Sequence, residues 1–168
     1  EEISSIFNYQ KNIVLEIGFG DGENLINSAK LNSNFFYIGA DPFLNTTAKC
    51  LSKILQYKLK NIVIWPDDIR KILKFFPDNS VSEIKILFPD PWPKKKHIKR
   101  RLISPTFLQL LDQKILEEGK IEIITDSKIY QDHIETVLYE QKLFKQIESF
   151  EIPFEVSTFH KKGLQKGH

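Results

Sequence analysis

Short apolar runs rich in β-branched residues alternate along this chain with longer stretches whose apolar positions recur every three or four residues. The first pattern reads as strand and the second as helix. Strands are expected near 13–17, 35–40, 61–65, 84–88 and 119–125, and helices near 22–30, 45–58, 69–76, 105–116 and 128–140. Ser104-Pro105 suits a helix start, since Ser can cap and Pro fits the first turn, and Glu118-Gly119 suits its stop. A further strand near 143–150 and an extended tail with Pro153 and the Lys-Lys-Gly of 161–163 close the chain. Regular alternation with short connections predicts an α/β fold, a mainly parallel central sheet with helices on both faces.

With 168 residues, 41% of them hydrophobic, the chain is expected to form one domain spanning 1–168. No apolar run approaches the roughly 20 residues that span a bilayer, and no signal peptide is visible, so no membrane partner is expected. The first residue is Glu1 rather than Met, and an N-terminal segment is expected to be missing. Cys50 is the single cysteine, on an expected helix face; it excludes an internal disulfide and favours a reducing compartment, the cytoplasm. Net charge is only +2, so attraction to nucleic acid has to come from clustered cations.

One such cluster follows the fourth strand. The run Phe88-Pro-Asp-Pro-Trp-Pro-Lys-Lys-Lys-His-Ile-Lys-Arg-Arg101 sets Asp90 between two prolines and then places six Lys or Arg side chains and one His in succession. Prolines fix the turn, which presents Asp90 and Trp92 at a strand's carboxyl end, where open α/β sheets bind ligands. The cations, Lys99, Arg100 and Arg101 among them, offer a phosphate-binding surface. A basic run alone is more often a solvated loop, and Trp92 has two readings, stacking on a base or packing the loop onto the core.

A second signal is Ile13-Val-Leu-Glu-Ile-Gly-Phe-Gly-Asp-Gly22, a strand that breaks into glycines at 18, 20 and 22. Glycines there let the backbone turn tightly and approach a ligand. Asp41 ends the next strand, a placement suited to ribose hydroxyls. A pyrophosphate site wants Gly-x-Gly-x-x-Gly on a helix N-terminus; here Glu16 and Asp21 would repel one. They suit the sulfonium and amine of S-adenosylmethionine. The structural alternative for Glu16 is a strand-end carboxylate capping neighbouring N–H groups.

Asp67-Asp68 follows the third strand, where one of the two either accepts from an adenine amino group or caps a helix. Asp126, after the strand Ile121-Glu-Ile-Ile124, either caps the next helix or accepts from guanine N1 and N2 donors. His97 and His160 do not pair with Cys or carboxylates at metal-ligand spacing, and no metal is expected.

Glu16-Ile-Gly-Phe-Gly-x-Gly22, Pro89-Asp-Pro-Trp-Pro-Lys-Lys95 with Lys99-Arg-Arg101, Thr125-Asp126 and the closing Lys162-Gly163 through Gly167-His168 together resemble the bacterial tRNA (guanine-N7)-methyltransferase family. The match runs in order over nearly the whole chain, and its proline block is the specific part. The resemblance implies a Rossmann-like class I fold and methyl transfer from S-adenosylmethionine to N7 of the variable-loop guanine at tRNA position 46. It implies that Glu16, Asp41 and Asp68, with Gly18, Gly20 and Gly22, serve the cofactor. Asp90 resembles the family's proposed catalytic acid, where cofactor and substrate meet. Lys94, Asp126 and the segment Ser157, Thr158, Phe159, His160 look like substrate positions. Two departures stand out: the family's late motif reads Thr-x-Phe/Tyr-Glu where this chain ends in His160, and its second-strand acid is commonly Glu rather than Asp41. A non-catalytic RNA-binding scaffold would not need the glycine turn with its acids, and a nicotinamide oxidoreductase would not need the proline block. Monomer and homodimer are both compatible with the sequence.

Overall fold

The computed structural model describes residues 3–9 and 12–147. After a short helix α1 (Ile3–Tyr9), the chain runs β1 (Ile13–Ile17), α2 (Glu23–Leu31), β2 (Phe36–Ala40), α3 (Leu44–Tyr57) and β3 (Ile62–Trp65). Two single 3₁₀ turns, Ile69–Lys71 and Leu73–Phe75, lead into β4 (Val81–Leu87). A third, Lys95–Arg100, precedes α4 (Pro105–Lys114), β5 (Ile115–Ile124) and α5 (Lys128–Gln141). The strands form one sheet in the order β3-β2-β1-β4-β5.

β1 pairs in parallel with both β2 and β4, and β2 with β3, so that Ile17 lies opposite Ala40 and Ile86, and Ala40 opposite Trp65. Strand order reverses at β1. In an open parallel sheet, that reversal leaves a crevice at the carboxyl ends, the usual ligand position. All five β1 residues are buried, as a central strand with both faces covered requires. On one face Val14 and Tyr37 pack with Leu25, Ile26 and Ala29 of α2 and Cys50 of α3. Leu25 is fully buried there, and truncation to Ala is expected to cost about 2–5 kcal/mol.

Contacts group the chain into two compact units. Of the described residues, the first holds those up to Leu87 together with Lys114–Ile123, and the second Phe88–Gln113 together with 124–147. In the second unit, Tyr130 of α5 is fully buried and its hydroxyl accepts the Ile103 N–H at 3.1 Å. His133 Nε2 shares a 2.9 Å hydrogen bond with the Ile103 carbonyl, and Gln109 of α4 donates to Gln141 of α5 at 3.0 Å.

Several expected boundaries need correction: β4 starts at Val81 and not near 84, and β5 at Ile115 and not near 119, so that Gly119 lies within the strand and does not stop the preceding helix. The helix expected at 69–76 is a pair of 3₁₀ turns, with bonds from Ile72 N to Ile69 O and from Phe75 N to Ile72 O reaching back only three residues. Buried Ile69, Ile72, Leu73 and Phe76 carry helical spacing, so the periodicity misleads. The helix expected at 105–116 stops at Lys114, whose carbonyl accepts the Ser80 N–H at 2.9 Å and so begins strand pairing instead. Of the strand expected at 143–150, residues 143–147 form no regular element and 148–150 lie outside the described residues.

Candidate active site

The three glycines after β1 all adopt left-handed φ, 75° at Gly18, 57° at Gly20 and 76° at Gly22. They serve different needs. A Cβ on Gly18 would meet nothing within 4 Å, so its surroundings leave room for a ligand against the backbone; one on Gly22 would lie 2.5 Å from Cys50 Sγ. The turn is tied to the end of β2 and the residue after it: Gly18 N–H donates to the Ala40 carbonyl at 2.7 Å, and Gly20 N–H to Asp41 Oδ2 at 2.9 Å. The other Asp41 oxygen accepts the Phe43 N–H at 2.8 Å and the Thr46 hydroxyl at 3.3 Å. Asp41 thus braces the glycine turn, a role the sequence did not disclose.

Glu16 is 2% exposed and accepts from Asn24 Nδ2 at 2.6 Å. Its hydrogen bond comes from a side chain, not from the strand-end N–H groups of the capping alternative. Burial pushes its carboxyl up to about 7, against the opposing pull of the Asn24 hydrogen bond and of Lys85, its neighbour across the β1–β4 pairing; Glu122 and Asp21 add to the rise. A carboxylate so placed changes charge easily near neutrality, and a cationic ligand group would favour the charged form. Asn24, the second residue of α2, escaped the sequence reading; its only signal was a polar side chain just after the glycines.

Asp68 takes the capping alternative. It accepts the Arg70 backbone N–H and Nε, each at 2.9 Å, and forms an ion pair with the Arg70 guanidinium, which holds its carboxyl below the usual range. Asp67 is likewise paired with Lys71 Nζ at 2.6 Å. The expected adenine contact at Asp68 therefore meets a carboxylate already engaged.

In the second unit, the proline turn places Asp90 on the surface between Pro89 and Pro91. Phe88 and Trp92, each followed by proline, adopt φ of +51° and +40°. Trp92 is half-buried; the His97 ring meets it edge-on at 5.5 Å between centroids, and the Arg100 guanidinium lies 5.0 Å from its ring centre. Lys94, Lys95, Lys96, Lys99 and Arg100 are exposed, as a phosphate-binding run needs. Arg101 is the correction: at 6% exposure, with Nε bonded to the Pro91 carbonyl at 2.9 Å, it is turned inward and unavailable to phosphate. The helix after β5 is capped by Ser127, whose hydroxyl accepts the Tyr130 N–H, and not by Asp126, which is exposed. Ser157, Thr158, Phe159 and His160 lie outside the described residues.

A family described as a putative methyltransferase matches residues 10–166. A tRNA (guanine-N7)-methyltransferase of Wolbachia pipientis is 39% identical over 165 residues, covering 98% of this chain and 75% of that protein. Another, from Neorickettsia sennetsu, is 35% identical over 159 residues, covering 95% and 72%. The chain belongs to the tRNA (guanine-N7)-methyltransferase family. Among solved structures, a precorrin-6y methyltransferase from Geobacter metallireducens aligns with a TM-score of 0.62 at 13% identity, over 82% of this chain and 66% of that one. A SAM-dependent methyltransferase from Aquifex aeolicus gives 0.54 at 17% identity, over 79% and 72%. That likeness supports the Rossmann-like class I fold expected of a tRNA (guanine-N7)-methyltransferase family member. Among the described residues, no group of three or more His, Cys, Asp and Glu is placed to hold a metal ion, and no helix is long and apolar enough to cross a membrane.

Proposed function

We propose that this chain transfers a methyl group from S-adenosylmethionine to N7 of a guanine in tRNA, the variable-loop guanine at position 46. The observation that carries this reading is the buried Glu16 carboxylate beside an open glycine turn, in a chain whose family membership spans nearly its whole length. Two features fit the proposed cofactor, the Glu16 acid for the α-amino group and a bare backbone at Gly18; Asp41, whose oxygens already accept from Gly20, Phe43 and Thr46, keeps its ribose assignment by motif.

When bound, S-adenosylmethionine supplies an electrophilic methyl group on a sulfonium. Guanine N7 carries an in-plane lone pair and needs no deprotonation, so the protein's main task is to align the two reactants. Positive charge then develops on the purine. Asp90 provides an anionic carboxylate to stabilise it, which is an electrostatic role and not that of a strong base. Lys94, Lys99 and Arg100 supply cations for tRNA phosphates, and Asp126 offers an acceptor pair for guanine N1–H and N2–H. Ser157 to His160 are assigned to the guanine site by motif alone. The partner this reading requires is tRNA, and the compartment proposed for it is the cytoplasm.

Mass spectrometry of tRNA after incubation with the protein and methyl-labelled cofactor tests the reading. Label in 7-methylguanosine at position 46 is the expected result; tRNA that binds but stays unlabelled would leave the RNA-binding scaffold instead.

A further inference from the structure

The cationic run ends in a side chain unlike the others. Arg101 donates through Nε to the Pro91 carbonyl at 2.9 Å and through Nη2 to the Trp92 carbonyl at 3.4 Å. Its guanidinium carbon sits 5.4 Å from the centre of the Tyr130 ring, which is itself fixed by the Ile103 N–H on its hydroxyl. Among the described residues, no carboxylate forms an ion pair with it. Two carbonyl dipoles and an aromatic face therefore compensate a buried cation, an arrangement that only those partners justify.

Those carbonyls belong to a turn held by two aromatic residues at positive φ. Trp92 holds φ +40° just before Pro93, and Phe88 holds φ +51° just before Pro89. A bulky side chain before proline strongly prefers extended backbone with negative φ. Such conformations persist only where the surroundings over-determine them. Arg101 grips two successive carbonyls with a planar fork, a hold that a lysine ammonium reproduces at one carbonyl at most.

We propose that Arg101 is a positioning residue: it locks the Pro89–Pro93 turn in the conformation that presents Asp90, and it acts in methyl transfer through that turn without touching tRNA or cofactor. The kinetic half of the proposal rests on the role assigned to Asp90. In a Trp65→Phe background, Arg101→Lys should shift or broaden the Trp92 indole N–H resonance. Single-turnover methyl transfer should fall about tenfold or more, with cofactor affinity and the salt dependence of tRNA binding unchanged. Combined with Asp90→Asn, the same substitution should cost less than about twofold, the non-additivity expected when one residue works through another. Arg101→Gln, which keeps a planar donor, serves as the second variant if Lys is not tolerated.

An unmoved Trp92 resonance would overturn the locking role. So would a tRNA salt slope reduced by about one unit, which would return Arg101 to phosphate binding. Equal losses in both backgrounds would overturn action through Asp90. A shifted resonance beside an Asp90→Asn protein of normal rate would instead sink the catalytic reading of Asp90 and leave the lock standing.

Discussion

Two turns carry the residues of the proposed chemistry, and they leave ordinary backbone geometry by opposite means. In the turn after β1, all three positive-φ residues are glycines, and the hold comes through backbone N–H groups from the end of the neighbouring strand: Gly18 on Ala40, Gly20 on Asp41. In the Phe88–Pro93 turn, the positive-φ residues are Phe and Trp, each fixed against a proline, and Arg101 clamps the carbonyls from ten and nine residues along the chain. Glycine adopts its conformation at little enthalpic cost, whereas Phe and Trp do so only under constraint. The first turn is built to let a ligand approach backbone. The second is built to hold one carboxylate still. Damage to the first should accordingly appear in affinity, and damage to the second in rate.

The largest expected effect breaks the second turn's function without disturbing its shape. Asp90→Asn should lower single-turnover methyl transfer at least about a hundredfold while cofactor affinity stays within about twofold, because a neutral amide cannot offset the developing purine charge. A rate near the parent's would reduce Asp90 to a turn residue.

On the first turn, Asp41→Ala should weaken S-adenosylmethionine binding at least tenfold, about 1.4 kcal/mol, by calorimetry. Because Asp41 also braces Gly20 and Phe43, Asp41→Asn should fall between parent and Ala; if both variants bind like the parent, neither the ribose role nor the brace matters to the ligand.

Glu16 sharpens the contrast through pH. Its carboxyl is raised from 4.5 to about 7, so in the free protein its contribution to stability is full below the lower value and is lost as pH rises towards 7. Binding of a cationic amine runs the other way and expels the proton. Cofactor affinity should drop about fivefold from about pH 7 to about pH 6, approaching about tenfold per unit below that, and calorimetric heats should vary with buffer ionisation enthalpy. Glu16→Gln should abolish both; heats independent of buffer in the parent would mean that Glu16 is already ionised or does not face the amine.

The smallest effect separates two neighbours in the basic run. Lys99→Ala should flatten the salt dependence of tRNA binding by about one log–log unit and leave the rate with saturating tRNA alone, while Arg101→Lys should do the reverse. An unchanged slope for Lys99→Ala would remove that residue from the phosphate surface.

Much of the fold was legible because strand and helix periods are properties of neighbouring residues: β1 to β3, α2, α3 and α5 fall within a residue or so of expectation. The pair of 3₁₀ turns was not, since Ile69, Ile72, Leu73 and Phe76 show the same spacing whether the bonds reach back three residues or four. The acids Glu16 and Asp41 were legible as types at positions, but their constraints were not: Asn24 on Glu16 and Gly20 on Asp41 are tertiary pairings. Arg101 was misread because charge in a run looks solvated until folding decides which member turns inward. The apolar Leu102-Ile103 that follows was the one available hint.

The packing of Gly22 against Cys50 has a kinetic side. The Cys50 thiol is fully buried and pushed up to about 12, chiefly by that burial, so reagents that need a thiolate find almost none while α3 is seated. Alkylation must wait for the layer to open, and the labelling rate of this one thiol becomes a stopwatch on how often the glycine turn and α3 part company. A ligand that braces the turn should slow that clock in proportion to its occupancy, giving a readout of cofactor capture that needs neither tRNA nor turnover.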